Sequence, residues 1–164
     1  MKKFLMAAFF TATATVAFAQ QEQRKSPHVT AEGKDIKVVY GQPSKNGREI
    51  FGKLEPFGKV WRAGADEATE ITFAKDMTFG GKPVKAGTYT LFVIPEPKEW
   101  TIILNSTLKQ WGAYSYDKIK DKNVLEVTVP LEKVKAPVEK LTYTVGPKSL
   151  DIAWDEAKVA IPVK

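Results

Sequence analysis

In stretch after stretch from Asp35 to the C-terminus, apolar side chains recur at every second position, and this period limits the accessible folds more than any other feature of the chain. Successive side chains of a strand point to opposite faces, so alternation marks a sheet with one face buried. Ile36, Val38 and Tyr40 share one face of a first strand. Thr69, Ile71 and Phe73 share a face of another, with Glu70 and Thr72 opposite. Met77 and Phe79 lead into Gly80-Gly81, a hairpin dipeptide. After Lys85-Ala86-Gly87, the segment TYTLFVIP has Tyr89, Leu91 and Val93 on one side and Phe92 and Ile94 on the other. Apolar residues on both faces predict a central strand that is covered twice. Further alternating sets are Trp100, Ile102 and Leu104; Leu125, Val127 and Val129; Leu141, Tyr143 and Val145; Leu150, Ile152 and Trp154; and Val159, Ile161 and Val163. Eight or nine short strands at roughly 10–15-residue spacing predict an all-β, antiparallel β-sandwich, Greek-key or jelly-roll-like. Alternation does not set the strand order. Residues 106–123 interrupt the pattern, with room for single helical turns at Ser106–Gln110 and Tyr116–Asp121. No repeat or linker divides residues 35–164, which read as a single domain.

The N-terminus has the form of an export signal. Lys2 and Lys3 precede an uncharged apolar run, Phe4 to Phe18, and Ala17-Phe18-Ala19 fits the small-x-small cleavage rule. A run of about 15 residues is short for a spanning helix, which needs roughly 20. Residues 1–19 are therefore expected to be a signal peptide, leaving no membrane span after its removal and directing the chain to the periplasm or the outside of a bacterial cell. Residues 20–34, QQEQRKSPHVTAEGK, are polar, carry no core pattern, and read as a tail or irregular lead-in. The chain has no Cys, which excludes disulfides, thiolate chemistry and a lipid anchor on cysteine. Its net charge of +6 comes from scattered lysines rather than a basic block or helical stripe. Nucleic acid is not expected as a partner, because the patch that would bind it is missing. Single lysines at turns and strand edges keep a β protein soluble.

The densest stretch is GREIFGKLEPFGKVWRAGADEAT, residues 47–69. Repeated Gly beside bulky rings predicts a sharply turning segment that plugs a core or shapes a site. Together with Ser26-Pro27-His28, Tyr40-Gly41-Gln42-Pro43, AGTYTLFVIP (86–95), EWTIILN (99–105) and QWGAY (110–114), it makes the chain similar to a family of secreted bacterial proteins, domain of unknown function 2911. The resemblance spans nearly the whole exported chain. It implies an exported β-rich domain and brings no activity, cofactor or catalytic residue. It also implies that Asn is admissible at Asp66.

Among chemistries, a Ser-His-Asp triad lacks support: His28 is the only histidine and no G-x-S-x-G turn is present. One His and no Cys do not make a zinc site. Asp66, Glu67 and Glu70 offer oxygen ligands for calcium, but not at EF-hand spacing. No metal or other cofactor is expected. The better constellation is Arg62, Asp66 and Glu67, with Arg48 upstream. Arginines there can grip a carboxylate or phosphate, and the acids can serve as acid and base on a glycan. The plainer reading is an Arg62–Glu67 ion pair that fixes the turn. His28 either joins this polar group or sits on a loose tail. Trp111 and Tyr114 offer aromatic faces for sugar stacking, or Trp111 plugs one end of the sandwich. Trp61, Trp100 and Trp154 read as core.

The candidate ligand site is therefore His28, Arg48, Arg62, Asp66, Glu67, Trp111 and Tyr114. The leading expectation is an exported envelope protein that binds a small polar ligand, glycan or peptide. The alternatives are a hydrolase or lyase acting on glycans or cell-wall material, with Glu67 or Asp66 as acid/base, and a structural module that adds an edge strand near Val159–Val163 to a partner.

Overall fold

The computed structural model describes residues 25–164. The expected signal peptide, residues 1–19, and the start of the polar segment lie outside the described residues. The fold is all-β and sandwich-like, with antiparallel pairing in every sheet.

The larger layer has six strands: β1 (His28–Glu32), β2 (Ile36–Gly41), β3 (Glu70–Phe73), β6 (Gly87–Pro95), β7 (Glu99–Asn105) and β8 (Asn123–Pro130), in the order β1-β2-β3-β6-β7-β8. Each strand pairs with its chain neighbour except at β3–β6, where a hairpin of β4 (Met77–Phe79) and β5 (Lys82–Val84) is inserted. Gly80 and Gly81 turn that hairpin with φ of 58° and 81°. Positive φ at both central residues matches the right-handed twist of the flanking strands and favours Gly. The opposing layer is a long hairpin of β9 (Glu132–Val145) and β10 (Ser149–Pro162).

Ten strands are present among the described residues, more than the alternation predicts. The N-terminal β1 arises from the segment read as irregular. Its HVTAE pattern pairs with β2 from His28↔Gly41 to Glu32↔Lys37, at the rim of the sheet where no face need be fully buried. The first half of β9, EKVKAPVEK, is also strand without alternation. Pairing with β10 holds it extended while its side chains stay in water.

Between the layers lies one apolar core, contributed by the predicted alternating faces. Trp61, Trp100 and Trp154 meet at its centre as expected, with relative exposures of 2%, 0% and 1%. Trp61 stacks on Trp154 at 5.9 Å and meets Trp100 edge-on at 6.1 Å, while Phe51 closes the cluster 4.7 Å from Trp100. Such tilted and offset contacts suit the ring quadrupoles. On the outer face of the large sheet, Phe92, Ile103 and Ala68 form a second, smaller core. Residues 106–122 cover it, through Ala113, Tyr116 and Ile119. That segment contains α1 (Tyr116–Ile119) and a 3₁₀ turn (Lys120–Lys122). The central strand is thus covered twice, as its sequence predicts. The C-terminal edge is covered as well: Thr78 and Lys164 exchange backbone hydrogen bonds, and Gly80 N donates to Pro162 O. This pairing takes up the edge at Pro162–Lys164, the last part of the stretch considered for strand addition near Val159–Val163.

Candidate functional site

Residues 42–69 leave the sheet at Gly41 and return at β3, crossing one end of the sandwich. Backbone contact fixes the crossing. A Cβ on Gly41 would stand 2.1 Å from Ala65 O, and Ala65 N donates to Gly41 O at 3.1 Å. Trp61 bridges to Val93 through paired backbone bonds of 2.7 and 3.0 Å. The Ala63 carbonyl accepts from Tyr143 Oη at 2.6 Å and Thr69 Oγ1 at 2.8 Å. Burial pushes the Tyr143 hydroxyl well above its ordinary pKa, so it serves as a neutral donor. Behind the segment, buried Asp155 at a bulge of β10 pairs with Lys45 and accepts from Ile50 N. The loop therefore plugs the core with Ile50 and Trp61 and leaves its polar side chains facing out.

The 106–115 segment docks against this loop. Ala68 N donates to Gln110 O at 2.9 Å and Gly112 N to Asp66 O at 3.0 Å. Asn105, fully buried, donates to Ile119 O and Asn123 Oδ1 and accepts from Thr107 N, each at 2.8 Å. These bonds hold the loop that carries Trp111 and Tyr114.

A cleft of about 580 Å³ opens between the two segments. Arg48, Arg62, Asp66, Trp111 and Tyr114 all line it, together with Lys25–Pro27, Gln42, Leu54 and Glu55. A smaller lobe of about 170 Å³ adjoins it through Glu55, Arg62 and Tyr114. Trp111 is half-buried on the wall rather than a plug. Tyr114 is 78% exposed, and its ring lies 5.7 Å from Arg62 Cζ in a cation–π contact.

The remaining candidates are placed differently. His28 is held in β1, and its Nε2 lies 2.8 Å from Glu67 Oε2, away from the cleft wall. This contact stands where an Arg62–Glu67 ion pair was expected. Arg62 instead donates from Nη1 to the Asp66 backbone carbonyl at 3.2 Å. Arg48 donates to two carbonyls, Nε to Lys45 O at 2.9 Å and Nη2 to Ser44 O at 2.6 Å. Both guanidiniums are thus aimed by neutral oxygens and keep their charge for the cleft. Asp66 sits at φ 63°, and its Oδ2 accepts from the backbone N–H groups of Lys25 and Ser26 at 2.9 and 3.0 Å. It fastens the N-terminal segment as a capping side chain would, a role that an amide oxygen also fills. Glu70 Oε1 accepts from Lys109 N at 2.9 Å. The three acids considered for calcium therefore turn to three separate partners.

Glu55 is the residue that the sequence did not single out. It follows Leu54 and precedes Pro56 inside the Gly-rich stretch, where a carboxylate looks like one more turn residue. In the fold its half-buried carboxyl lines the cleft and the adjoining lobe. Burial raises its pKa to about 7, against the opposing fields of Arg62 and Arg48. Among the described residues its carboxyl has no hydrogen-bond or ion-pair partner. A visible signal was its position between Arg48 and Arg62 in a single turning segment.

The arrangement offers two guanidiniums with Lys25 at the rim, a carboxyl whose pKa burial raises to about 7, and aromatic faces around one open cleft. This combination can orient an anionic, ring-bearing molecule and can exchange a proton with it. No curated protein and no solved structure gives a significant match to the chain. The family model described as "Protein of unknown function (DUF2911)" matches residues 22–163, and the chain belongs to that family.

Proposed function

We propose that this is an exported protein that binds a small acidic saccharide in the cleft framed by Arg48, Arg62, Trp111 and Tyr114. One observation carries the reading: Arg48 and Arg62 both line the cleft, and both spend their protein hydrogen bonds on carbonyl oxygens. An anion that enters meets guanidinium charge that no carboxylate among the described residues has neutralised through a direct bond. A sugar carboxylate suits the two-pronged guanidinium, and sugar rings suit the faces of Trp111 and Tyr114. Export rests on the form of residues 1–19.

The test is calorimetric titration with oligogalacturonate, a neutral galactose oligomer, a sugar phosphate and an acidic dipeptide. Oligogalacturonate is expected to bind, and a combined R48A/R62A variant that still melts cooperatively is expected to lose it. Equal binding of the neutral oligomer, or no loss in that variant, counts against the proposal.

Glu55 favours a second reading, a glycan hydrolase or lyase. A carboxyl with pKa about 7 suits proton transfer near neutrality, whereas Asp66 and Glu67 each have one oxygen tied up, Oδ2 by the N-terminal segment and Oε2 by His28. This reading predicts turnover of an acidic glycan that E55Q abolishes. A screen of envelope and plant acidic polymers that releases no product would set it aside.

A further inference from the structure

The ligand class proposed above leaves one feature of the cleft without a purpose. Glu55 is an acid in a site arranged to take acids, and the chain gives it neither a donor nor an ion-pair partner among the described residues. We infer that Glu55 is itself a ligand contact, donating a hydrogen bond from its protonated carboxyl to a carboxylate held by Arg48 and Arg62, so that binding takes up one proton. The inference rests on the acidic-ligand reading and adds which atom meets the ligand and in which protonation state.

Repulsion between like charges sets where the proton sits. Two carboxylates in one partly dehydrated site cannot both stay ionised without a large penalty, and sharing a proton removes the repulsion and adds a short hydrogen bond. The ligand carboxylate keeps its charge, because the guanidiniums favour it. Glu55 takes the proton because burial already raises its pKa to about 7. The other ionisable side chains on the wall are Lys25 from the N-terminal segment, Arg62 and Asp66 from the crossing loop, Arg48 from its start, and Tyr114 from the docking loop. Asp66 is occupied by the amides of Lys25 and Ser26, and Arg62 by the Asp66 carbonyl and the Tyr114 ring. Of the two cleft acids, Asp66 has Oδ2 committed to backbone amides, whereas Glu55 has neither oxygen bonded among the described residues.

The experiment is titration of the protein with trigalacturonate at about pH 6 and about pH 8, in buffers of different ionisation enthalpy, with E55Q alongside. Above pH 7 the affinity is expected to fall about tenfold per pH unit, with close to one proton taken up per ligand at about pH 8. E55Q, whose amide donates without titrating, is expected to bind at about pH 8 as tightly as the parent does at about pH 6, with no proton uptake. Parent binding that is independent of pH and takes up no proton overturns the inference and leaves the acidic-saccharide reading standing. Absence of trigalacturonate binding at both pH values overturns both. The parent's own proton uptake decides the matter even where E55Q fails to fold.

Discussion

His28 Nε2 and Glu67 Oε2 lie 2.8 Å apart, joining the first strand to the last turn of the crossing loop. The contact spans 39 residues of sequence, and both side chains are partly open to water. Close by, Asp66 captures the amides of Lys25 and Ser26. Together these bonds hold the N-terminal segment against the cleft, where Lys25–Pro27 form one rim.

Replacing His28 with Ala should therefore act on the rim more than on the core. A partly exposed pair contributes about 1 kcal/mol or less, so the melting temperature should barely move. Faster proteolytic cleavage ahead of β1, measured on the full chain, is the expected readout. A large loss of stability would place His28 in a heavier structural role.

Asp66→Asn should keep the rim and Asp66→Ala should release it. The amide oxygen of Asn can accept from Lys25 N and Ser26 N, and Asn tolerates the positive φ at this position. Ala leaves those donors without a side-chain acceptor and strains the left-handed backbone, costing about 1–2 kcal/mol. Urea denaturation of the two variants side by side measures the difference.

Glu55→Gln should stabilise the protein at high pH only. The folded state holds the Glu55 proton up to about 7, whereas the unfolded chain releases it near 4.5. Between those values the native state binds more protons, so stability falls as pH rises. The contribution is intact below the unfolded pKa and lost as pH passes through the folded one. Gln removes the titration, and the gain should reach about 1–3 kcal/mol by about pH 8 and shrink towards zero as pH drops to about 4. Denaturant midpoints across that range check the sign. An E55Q gain that is equal at both ends contradicts the burial argument.

Gly41→Ala should displace the crossing loop. The added carbon would meet Ala65 O at 2.1 Å, against backbone that is hydrogen-bonded in place. Relief requires moving residues 63–66, which carry the Ala63 carbonyl anchor and the Asp66 cap. A cost of about 2–4 kcal/mol is expected, as for overpacking and broken buried bonds together. Thermal melting gives the cost, and loss of oligogalacturonate binding in whatever remains folded reports the displaced loop.

Asn105→Leu should loosen the segment carrying Trp111 and Tyr114 while sparing the sheet. The substitution leaves Ile119 O, Asn123 Oδ1 and Thr107 N without their buried partner. About 2–3 kcal/mol should be lost. Hydrogen exchange should rise across residues 106–122 and stay low in β6 and β7. Uniform exchange across the domain would show that the segment is not an independent unit.

The sheet was legible because its signal is local. Ile36, Val38 and Tyr40, or Trp100, Ile102 and Leu104, declare their buried face by spacing alone. Gly80-Gly81 was legible because both residues take positive φ in the turn. β1 was not, because its alternating pair, Val29 and Ala31, is too short a signal inside a polar segment, and the first half of β9 was not, because its side chains stay largely in water and no alternation is required. At the cleft, Arg48, Arg62, Trp111 and Tyr114 stood out by residue type within one dense stretch and one aromatic loop. Glu55 did not, since nothing in the local sequence shows that its carboxyl is partly buried and lacks a bonding partner among the described residues.

The amino-acid order alone determined a two-layered β domain, its core tryptophans and the neighbourhood in which a site would form, because burial periodicity and backbone permissiveness are properties of adjacent residues. Only the folded chain decided which acid faces the arginines, which acid fastens Lys25 and Ser26, and where His28 goes. Those outcomes depend on contacts across dozens of residues and on how far each carboxyl is removed from water, quantities that exist only once the layers have closed.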